Sequence, residues 1–498
     1  MSTLTPLDLD RPTRFGLARR LVTLLSLAAI AVAWWQVLAA TSAVELVTVE
    51  RDGVPIDLLV PDGAVEAPGI VVAHGFSGSR QLMRSTALAL AEAGFAVAVP
   101  DLAGHGANRA PLPTEDEGDR LVRDVLIAAE ALEASEGVRS APVGVLGHSM
   151  GSGAAMAAGV RAPDRITAVV AVSPTDAEVS PQLPNDLLLL AGEREPRFVA
   201  NARDLLERAG GATTGTTTAP RRELVVIAGV EHVSILFSSA MYAEATAWFA
   251  ESFGLPATPA GGGVPLLAWW ALHLVAVVAL WRVVAPGLTD RGSGSQATGR
   301  GVLGAVAGAL AATTVLAILG AAVELAGFGG MLVAPVLAAW LLVAGGIWLW
   351  VGPRPGTPTG RDLGWAAVLV LLLAAALAAL GSRVWLPALP GGPRAGWFAL
   401  FVVLLLPWSV ALSATLQGAR GWRALGWWTL LAVVTTGGFA AAAVAVPSLG
   451  FLLLLLPLIP VLLTVAVVAW LPVQRPWAGG IAMAVLLAWM LAILFPLV

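Results

Sequence analysis

The sequence contains no cysteine and no lysine. Without cysteine, the chain cannot form disulfide bonds, use a thiolate nucleophile or build a cysteine metal site. Every basic residue is therefore an arginine, and the arginines do not cluster into the basic patch that nucleic-acid binding requires. These absences exclude thiol chemistry, and nothing in the sequence indicates a nucleic-acid partner.

Charge is also scarce, and it is distributed unevenly. Of the 498 residues, 12% are charged and 57% are hydrophobic, which is too apolar for an ordinary soluble protein. Residues 44–254 carry most of the acids, whereas residues 263–498 contain only Asp290, Glu324 and Asp362. We therefore expect a polar domain in water and a second domain in lipid.

An uncharged apolar run occupies residues 21–40, and a run of this length can cross about 30 Å of hydrocarbon. The preceding basic residues are Arg11, Arg14, Arg19 and Arg20. Positive charge before a first span keeps that flank in the cytoplasm, so the chain from Val44 onward should be extracytoplasmic. A cleaved signal peptide is the competing interpretation, although the apolar run is long for one. We interpret residues 1–20 as a cytoplasmic segment and residues 21–43 as a transmembrane signal anchor.

Residues 44–254 alternate short apolar or β-branched runs with helical stretches. This alternation predicts a mainly parallel eight-stranded sheet with helices on both faces. The predicted strands are 45–50, 54–60, 69–73, 95–100, 142–147, 166–172, 187–191 and 223–228. The predicted helices are 80–93, 117–135, 150–161, 197–209 and 238–252. Residues 255–263, rich in glycine and proline, read as a linker.

Residues 264–498 contain about eight further apolar runs of membrane-spanning length, which predicts an all-α polytopic transmembrane domain. The runs lie near 264–285, 301–322, 331–352, 363–381, 396–416, 426–446, 449–471 and 479–497. Strict alternation places most loop arginines in the cytoplasm and only Arg383 and Arg394 outside, as the positive-inside rule expects. His273 and Glu324 lie near predicted span ends, so we expect both at the membrane interface. The sequence thus predicts a multi-pass cell-membrane protein.

Two glycine-containing turns follow predicted strands. Gly147-His148-Ser149-Met150-Gly151 separates a strand from a helix of small residues, the context in which a strained turn exposes a nucleophilic serine. His74-Gly75-Phe76 follows the apolar strand 69–73. In such sites the backbone N–H groups of Phe76 and Met150 would form an oxyanion hole. Because backbone N–H groups would hold the oxyanion, the identity of these two side chains does not determine whether the oxyanion hole forms.

Polar residues also follow two later strands. The strand 187–191 leads into Glu193-Arg194-Glu195, and the last strand leads to His232. The order serine, acid, histidine differs from that of the chymotrypsin and subtilisin types and predicts His232 as the general base for Ser149. A carboxylate after the strand would orient His232. For His74, Asp101 and His105, which lie at strand ends near the same pocket, we expect structural hydrogen bonding.

With these motifs in place, residues 44–254 resemble the α/β-hydrolase superfamily, in the compact branch of dienelactone hydrolases, monoacylglycerol lipases and serine aminopeptidase-like esterases. The matching segments are HGFSGS, PDLAGHG, GHSMG, AGEREP and GVEH. The resemblance implies Glu195 as the triad acid, although the family usually has an aspartate there. Glu193 and Asp176 are the alternatives. We recognise no family resemblance in the membrane half.

The resemblance implies a membrane-bound serine hydrolase that cleaves an ester or related acyl bond, with a lipid or lipid-linked molecule among the possible substrates. No cofactor or metal is needed or suggested. A peptidase is the alternative within the same fold. From another class, the alternative is a transporter or assembly scaffold with a non-catalytic hydrolase-like binding domain. Beyond substrate and membrane lipid, the sequence points to no protein partner.

Overall fold

The computed structural model describes residues 13–112, 119–140, 142–213, 220–256, 265–288, 299–450 and 458–498. One sheet is formed by β1 (Val44–Arg51), β2 (Val54–Pro61), β3 (Gly69–Ala73), β4 (Ala96–Pro100), β5 (Val143–His148), β6 (Ile166–Val172), β7 (Asp186–Gly192) and β8 (Arg222–Ile227). Each strand agrees with its prediction to within one residue, because buried apolar runs bounded by turn residues define strands well.

The strands are ordered β1-β2-β4-β3-β5-β6-β7-β8. β2 pairs antiparallel with β1 and β4, and the strands from β3 to β8 are parallel. The helices of this sheet domain are α2 (Arg84–Glu92), α3 (Asp119–Glu133), α4 (Met150–Arg161), α5 (Pro196–Arg208) and α6 (Ser239–Ser252). Helices α3, α4 and α5 pack on one face, and α2 and α6 pack on the other. The predicted two-faced parallel architecture is confirmed.

Among the described helices of the sheet domain, the largest departure from a predicted boundary is at the start of the second helix. The helix predicted over residues 80–93 begins only at Arg84. Arg80 instead lies in a turn, where its guanidinium pairs with Asp57 and Asp101, both fully buried. Two buried carboxylates need a cation nearby, and this requirement outweighs the helix propensity of the segment.

The remaining helices are α1 (Thr13–Ala39), α7 (Leu266–Val284), α8 (Gly299–Gly320), α9 (Ala334–Val351), α10 (Gly360–Leu373), α11 (Ala379–Val384), α12 (Pro393–Leu416), α13 (Gly421–Ala445), α14 (Leu458–Trp470) and α15 (Pro476–Leu494). A π-helical turn, Ala374–Ala378, joins α10 to α11. Within the described ranges, eight helices are long and apolar enough to cross a membrane, which indicates a multi-pass membrane protein. Residues 451–457 of the predicted span 449–471 lie outside the described residues, and the part from residue 458 onward is the shorter α14. Most of the predicted linker also lies outside the described residues. We call α7–α15 the membrane domain.

The two ends of the membrane domain differ in what they contact. At one end, the Arg383 carbonyl accepts a hydrogen bond from Arg84 of the sheet domain. The Arg394 guanidinium donates to the Gly104 carbonyl of the same domain. At the other end, Trp477 Nε1 donates to the Gly356 carbonyl at 2.5 Å, and Arg475 pairs with Asp362 at 3.2 Å. The hydrophobic cluster beneath α2 and α6 continues into α1 and the membrane domain. The sheet domain is therefore packed against one end of the bundle.

The exposure expected for His273 at the membrane interface is not observed. Its side chain is buried in α7, and Nε2–H donates to the Ala375 carbonyl at 3.0 Å. Trp270 Nε1–H donates similarly to the Leu377 carbonyl at 3.0 Å. Both acceptors belong to the π-helical turn, a local widening that frees carbonyls from their usual intrahelical partners. Glu324, in contrast, is exposed as expected and accepts the Ala326 N–H.

Candidate active site

Ser149 is the single residue between β5 and α4. Its backbone has a positive φ, with φ +51° and ψ −122°. A side chain in this region is strained, and such strain concentrates at functional sites. The Ser149 N–H donates to the Val172 carbonyl on β6 at 2.9 Å, which fixes the turn to the neighbouring strand. The serine is partly exposed at the carboxyl edge of the parallel strands. This is the strained strand-to-helix turn that the sequence predicted.

The glycines on either side of Ser149 are required by close packing. A β-carbon at Gly147 would lie 2.1 Å from the Gly151 carbonyl oxygen. One at Gly151 would lie 2.5 Å from the His74 carbonyl oxygen and 2.6 Å from that of Ala73. All of these neighbours are backbone atoms, which cannot rotate away. The turn thus depends on glycine at both positions.

His232 connects Ser149 to a carboxylate. His232 Nε2 lies 3.1 Å from Ser149 Oγ, and His232 Nδ1 lies 2.8 Å from Glu195 Oε2. The imidazole and the carboxylate are largely buried, with 12% and 4% of their side chains exposed. A carboxylate on Nδ1 favours the tautomer that carries its proton there and leaves Nε2 free to accept one. The three residues form a hydrogen-bonded series that can move a proton from Ser149 Oγ.

Among the three candidate acids, the structure brings Glu195 to His232. Glu195 Oε1 also accepts the Ser173 hydroxyl at 2.6 Å and the Gly192 N–H at 2.5 Å, so both carboxylate oxygens have donors. Glu193 instead accepts the Gly229 N–H at 2.8 Å and is exposed. Asp176 lies on the surface, where it pairs with Arg208 at 2.5 Å. The family resemblance implied Glu195, and in the structure the contacts of these carboxylates distinguish it from the two alternatives.

The predicted oxyanion residues both adjoin Ser149. A β-carbon at Gly75 would lie 3.0 Å from Ser149 Cβ, so the turn after β3, which continues into Phe76, packs directly against the serine. Met150 is the first residue of α4, where a helix leaves N–H groups without intrahelical acceptors. Two backbone segments with donor groups therefore flank the hydroxyl, as an oxyanion hole requires.

Two side chains that were not predicted from the sequence hold His232. Phe198 stacks on the imidazole, with ring centroids 4.2 Å apart and planes inclined by 21°. His148 is buried, and its Nε2–H donates to the His232 carbonyl at 2.9 Å. Burial, reinforced by repulsion from His232, lowers the pKa of His148 to about 3. A neutral His148 thus holds the backbone of His232. Its place beside Ser149 in the motif was the only available signal.

His74, Asp101 and His105 have structural partners. His74 Nδ1–H donates to the Gly75 carbonyl at 2.8 Å, and its Nε2 accepts the Leu102 N–H at 3.0 Å. Asp101 accepts the N–H groups of Arg80 and Ala107 at 2.8 and 2.9 Å. His105 Nδ1–H donates to the carbonyl of Ala103 at 2.9 Å. Burial lowers the pKa of both histidines, so they are neutral at pH 7.

Within the described ranges, no group of three or more His, Asp or Glu side chains could hold a metal.

Comparison with known proteins gives a family match in this region. Residues 67–210 match the model of the family described as serine aminopeptidase, S33. The chain is also 32% identical over 108 residues to an uncharacterised 31.7 kDa protein encoded in the traX-finO intergenic region of Escherichia coli. That match covers 20% of this chain and 36% of the relative, so the chain spans about a third of the relative's length.

Two solved structures are similar at low identity. A dienelactone hydrolase from Anabaena variabilis is 22% identical, and the match covers 42% of this chain and 98% of that one, with a TM-score of 0.33. Epoxide hydrolase A from Mycobacterium thermoresistibile is 16% identical, with coverages of 43% and 100% and a TM-score of 0.33. The family match contains Ser149 and Glu195, whereas His232 lies beyond its end.

Proposed function

We propose that the protein is a membrane-bound serine hydrolase that cleaves an ester or related acyl bond. The eight-stranded α/β-hydrolase sheet and the family match over residues 67–210 support a hydrolase. One observation carries the proposal. Glu195, His232 and Ser149 are hydrogen-bonded in series, at 2.8 and 3.1 Å. A binding scaffold would have no need of a histidine held by a buried carboxylate beside a strained serine.

The reaction follows from this series. His232 Nε2 accepts the Ser149 proton while Ser149 Oγ attacks the acyl carbon, and Glu195 stabilises the imidazolium that forms. The imidazolium then gives its proton to the departing alcohol as the bond between acyl carbon and leaving oxygen breaks. Water, deprotonated by His232, attacks the acyl-enzyme and releases the acid. Ser149 recovers its proton in the last step, so the enzyme is unchanged.

The tetrahedral intermediates carry a negative oxygen, for which we assign the N–H groups of Phe76 and Met150 as donors. Preorganised backbone donors of this kind contribute roughly 3–4 kcal/mol each to transition-state stabilisation. Met150 opens α4, and the positive end of that helix's dipole adds to the stabilisation. Because no side chain supplies these donors, substitution at Phe76 tests pocket shape rather than the oxyanion hole.

A fluorophosphonate probe, which labels activated serines, tests the proposal in the detergent-solubilised full-length protein. We expect the wild type to label and Ser149→Ala not to label. His232→Ala should label slowly, because Ser149 Oγ loses its base. Ser135→Ala is the matched control: its hydroxyl donates to the Ala131 carbonyl within α3, and it should label fully. A folded wild type that stays unlabelled would overturn the enzyme proposal and favour a transporter or scaffold.

For the substrate, we propose a lipid or lipid-linked acyl ester. Two loops at the carboxyl edge of the sheet, where Ser149 lies, are bonded to the membrane domain. Ser79 Oγ–H donates to the Trp385 carbonyl at 2.5 Å, and the Leu112 N–H donates to the Leu497 carbonyl at 2.7 Å. These contacts support access of a lipid substrate to Ser149 from the bilayer. An acyl chain in the leaflet next to the sheet domain would meet this edge of the sheet first.

The test uses the full chain in lipid vesicles with esters of increasing acyl length. We expect kcat/KM to be higher for long-chain acylglycerols presented in the bilayer than for short water-soluble esters. Faster cleavage of soluble esters, or of aminoacyl amides, would reject the lipid proposal and leave an esterase or a peptidase. Ser149→Ala provides the background rate for every substrate.

We also propose that the sheet domain is extracytoplasmic. The distribution of arginine supports this orientation: Arg354 and Arg475 belong to the end of the bundle opposite the sheet domain. Because the chain has no cysteine, single-cysteine variants label cleanly. In intact cells, a membrane-impermeant maleimide should label Glu178→Cys, whose site is exposed on the sheet domain, and should label the exposed site of Arg354→Cys only after permeabilisation. The reverse pattern would invert the topology.

A further inference from the structure

Residues 495–498, which we call the strap, connect the membrane domain to a loop of the sheet domain. The Leu497 N–H donates to the Gly104 carbonyl at 3.0 Å, and the Leu497 carbonyl accepts the Leu112 N–H at 2.7 Å. The loop between them is closed by a Gly104 N–H bond to the Ala110 carbonyl at 2.6 Å. Leu497 therefore pairs with residues 104–112 as a neighbouring strand would.

The opposite edge of the strap is bonded within the membrane domain. The Pro496 carbonyl accepts the Leu332 N–H at 2.9 Å, and the Val498 N–H donates to the Gly330 carbonyl at 3.1 Å. Leu497 forms an antiparallel bridge with Met331. The backbone of the strap is thus hydrogen-bonded on one side to the membrane domain and on the other to the sheet domain.

Arg394 reinforces the same connection. It is buried, with 3% of its surface exposed, and it donates to the carbonyls of Ala492 at 2.6 Å, Phe495 at 2.7 Å and Gly104. Arg394 is the second residue of α12, where a positive charge opposes the helix dipole, so α12 itself gains nothing from it. The carbonyls at the end of α15 and the Gly104 carbonyl are what stabilise the guanidinium.

Gly104 is linked in turn to the predicted oxyanion turn. It has φ +77°, and a β-carbon there would lie 2.7 Å from the Leu497 carbonyl oxygen, so the strap approaches the loop as closely as glycine allows. The next residue, His105, is buried, and its ring packs edge-on against Phe76 at 5.6 Å and against His74 at 5.1 Å. His74 holds the Gly75 carbonyl at 2.8 Å. Strap, loop and oxyanion turn form one packed series.

We propose that Arg394 and Leu497 are positioning residues, through which the membrane domain holds the oxyanion turn of the sheet domain in its productive geometry. The inference rests on the proposed serine-hydrolase function and adds a role for the membrane domain in it. An oxyanion donor acts on the transition state, so releasing the loop lowers kcat while KM for a small soluble ester stays unchanged. A displacement of about 1 Å at such a site costs up to about 100-fold in rate.

The test compares two proline substitutions in the same strap. Leu497→Pro removes the N–H that bonds to Gly104, whereas Val498→Pro removes the N–H that bonds to Gly330, within the membrane domain. Each full-length variant is titrated to completion with a fluorophosphonate, and kcat for a short soluble ester is expressed per labelled site. We expect Leu497→Pro to lose roughly tenfold or more in kcat, with KM unchanged and Val498→Pro close to wild type.

Arg394→Gln should reproduce the Leu497→Pro result, because it also releases Gly104. A variant that loses labelled sites but keeps the wild-type kcat at the remaining sites would reveal a role in folding alone and overturn the proposal. Equal losses in kcat for Leu497→Pro and Val498→Pro would also overturn it. A wild type that neither labels nor hydrolyses ester refutes the proposed function itself, an outcome distinct from either of these.

Discussion

Glu195 Oε2 lies 2.8 Å from His232 Nδ1, whereas Glu193, two residues earlier, turns its carboxylate to the Gly229 N–H. The difference arises where β7 ends at Gly192 and α5 begins at Pro196. Glu195 is the N-cap residue of α5, and its side chain turns inward, so Ser173 and the Gly192 N–H hold one oxygen while His232 meets the other. The short turn between β7 and α5 thus contains one exposed acid, Glu193, and one buried acid, Glu195.

This relationship predicts unequal effects of two matched substitutions. Glu195→Gln should lower kcat by about 1,000- to 10,000-fold, because an amide cannot accept from every donor around it and no longer stabilises the imidazolium. Glu193→Gln should remain within about threefold of wild type, as expected for an exposed residue. Both are measured as kcat per fluorophosphonate-labelled site. Equal losses of kcat in the two variants would contradict the assignment of Glu195 as the acid that orients His232.

The stacked Phe198 ring should contribute to orienting His232. Aromatic stacking contributes about 0.5–1.5 kcal/mol beyond burial, so Phe198→Leu should lower kcat by about 2- to 12-fold. Phe253→Leu is the control, because Phe253 packs against Phe95 rather than the site. Steady-state kinetics on a soluble ester measures both. Wild-type kcat in Phe198→Leu would mean that the Glu195 contact alone holds the imidazole.

Acid should destabilise the sheet domain through its buried histidines. Burial lowers the pKa of His148 to about 3 and lowers that of His105 well below its ordinary value. The unfolded chain therefore binds protons below about pH 6.5 that the folded chain does not, and stability falls as pH falls from 6.5 toward the folded pKa. Protonation of His148 in the unfolded chain should cost about 2 kcal/mol of stability between pH 7 and pH 5, and His105 should act in the same direction.

The measurement is the thermal unfolding midpoint of the solubilised protein across this pH range. His148→Gln removes one of the titrating groups, so its midpoint should be lower at pH 7 but should fall less steeply toward pH 5. A midpoint that does not change between pH 7 and pH 5 in the wild type would contradict the assignment of neutral buried histidines.

Two glycines of α4, Gly151 and Gly153, should differ in their tolerance of substitution by alanine. Gly151→Ala places a β-carbon against two backbone carbonyls, which should cost more than about 3 kcal/mol and abolish labelling of Ser149. At Gly153, in the same helix, the nearest atom is Thr175 Oγ1 at 2.8 Å, a side chain that can rotate. Gly153→Ala should therefore fold and label. Labelling of Gly151→Ala at the wild-type level would refute the packing argument.

Local pattern was sufficient for much of the fold and for part of the site. The strands, the long apolar helices and the strained turn at Ser149 depend on residues that are neighbours in sequence, so periodicity and glycine spacing predict them. His232 was predicted as the general base because it follows the last strand. Phe198 and Ser173 were missed, because nothing in their own segments marks them as contacts of His232 and Glu195.

The sequence by itself determined that this chain has a polar α/β domain and a set of membrane-spanning helices, because hydrophobic burial in water and in lipid leaves different periodicities along the chain. The family resemblance implied Glu195, but only tertiary structure brought its carboxylate to His232, buried His273 and bonded Arg394 to Gly104, 290 residues away in sequence. Those contacts join residues from distant elements, and a hydrogen bond forms only where folding brings a donor and an acceptor within about 3 Å.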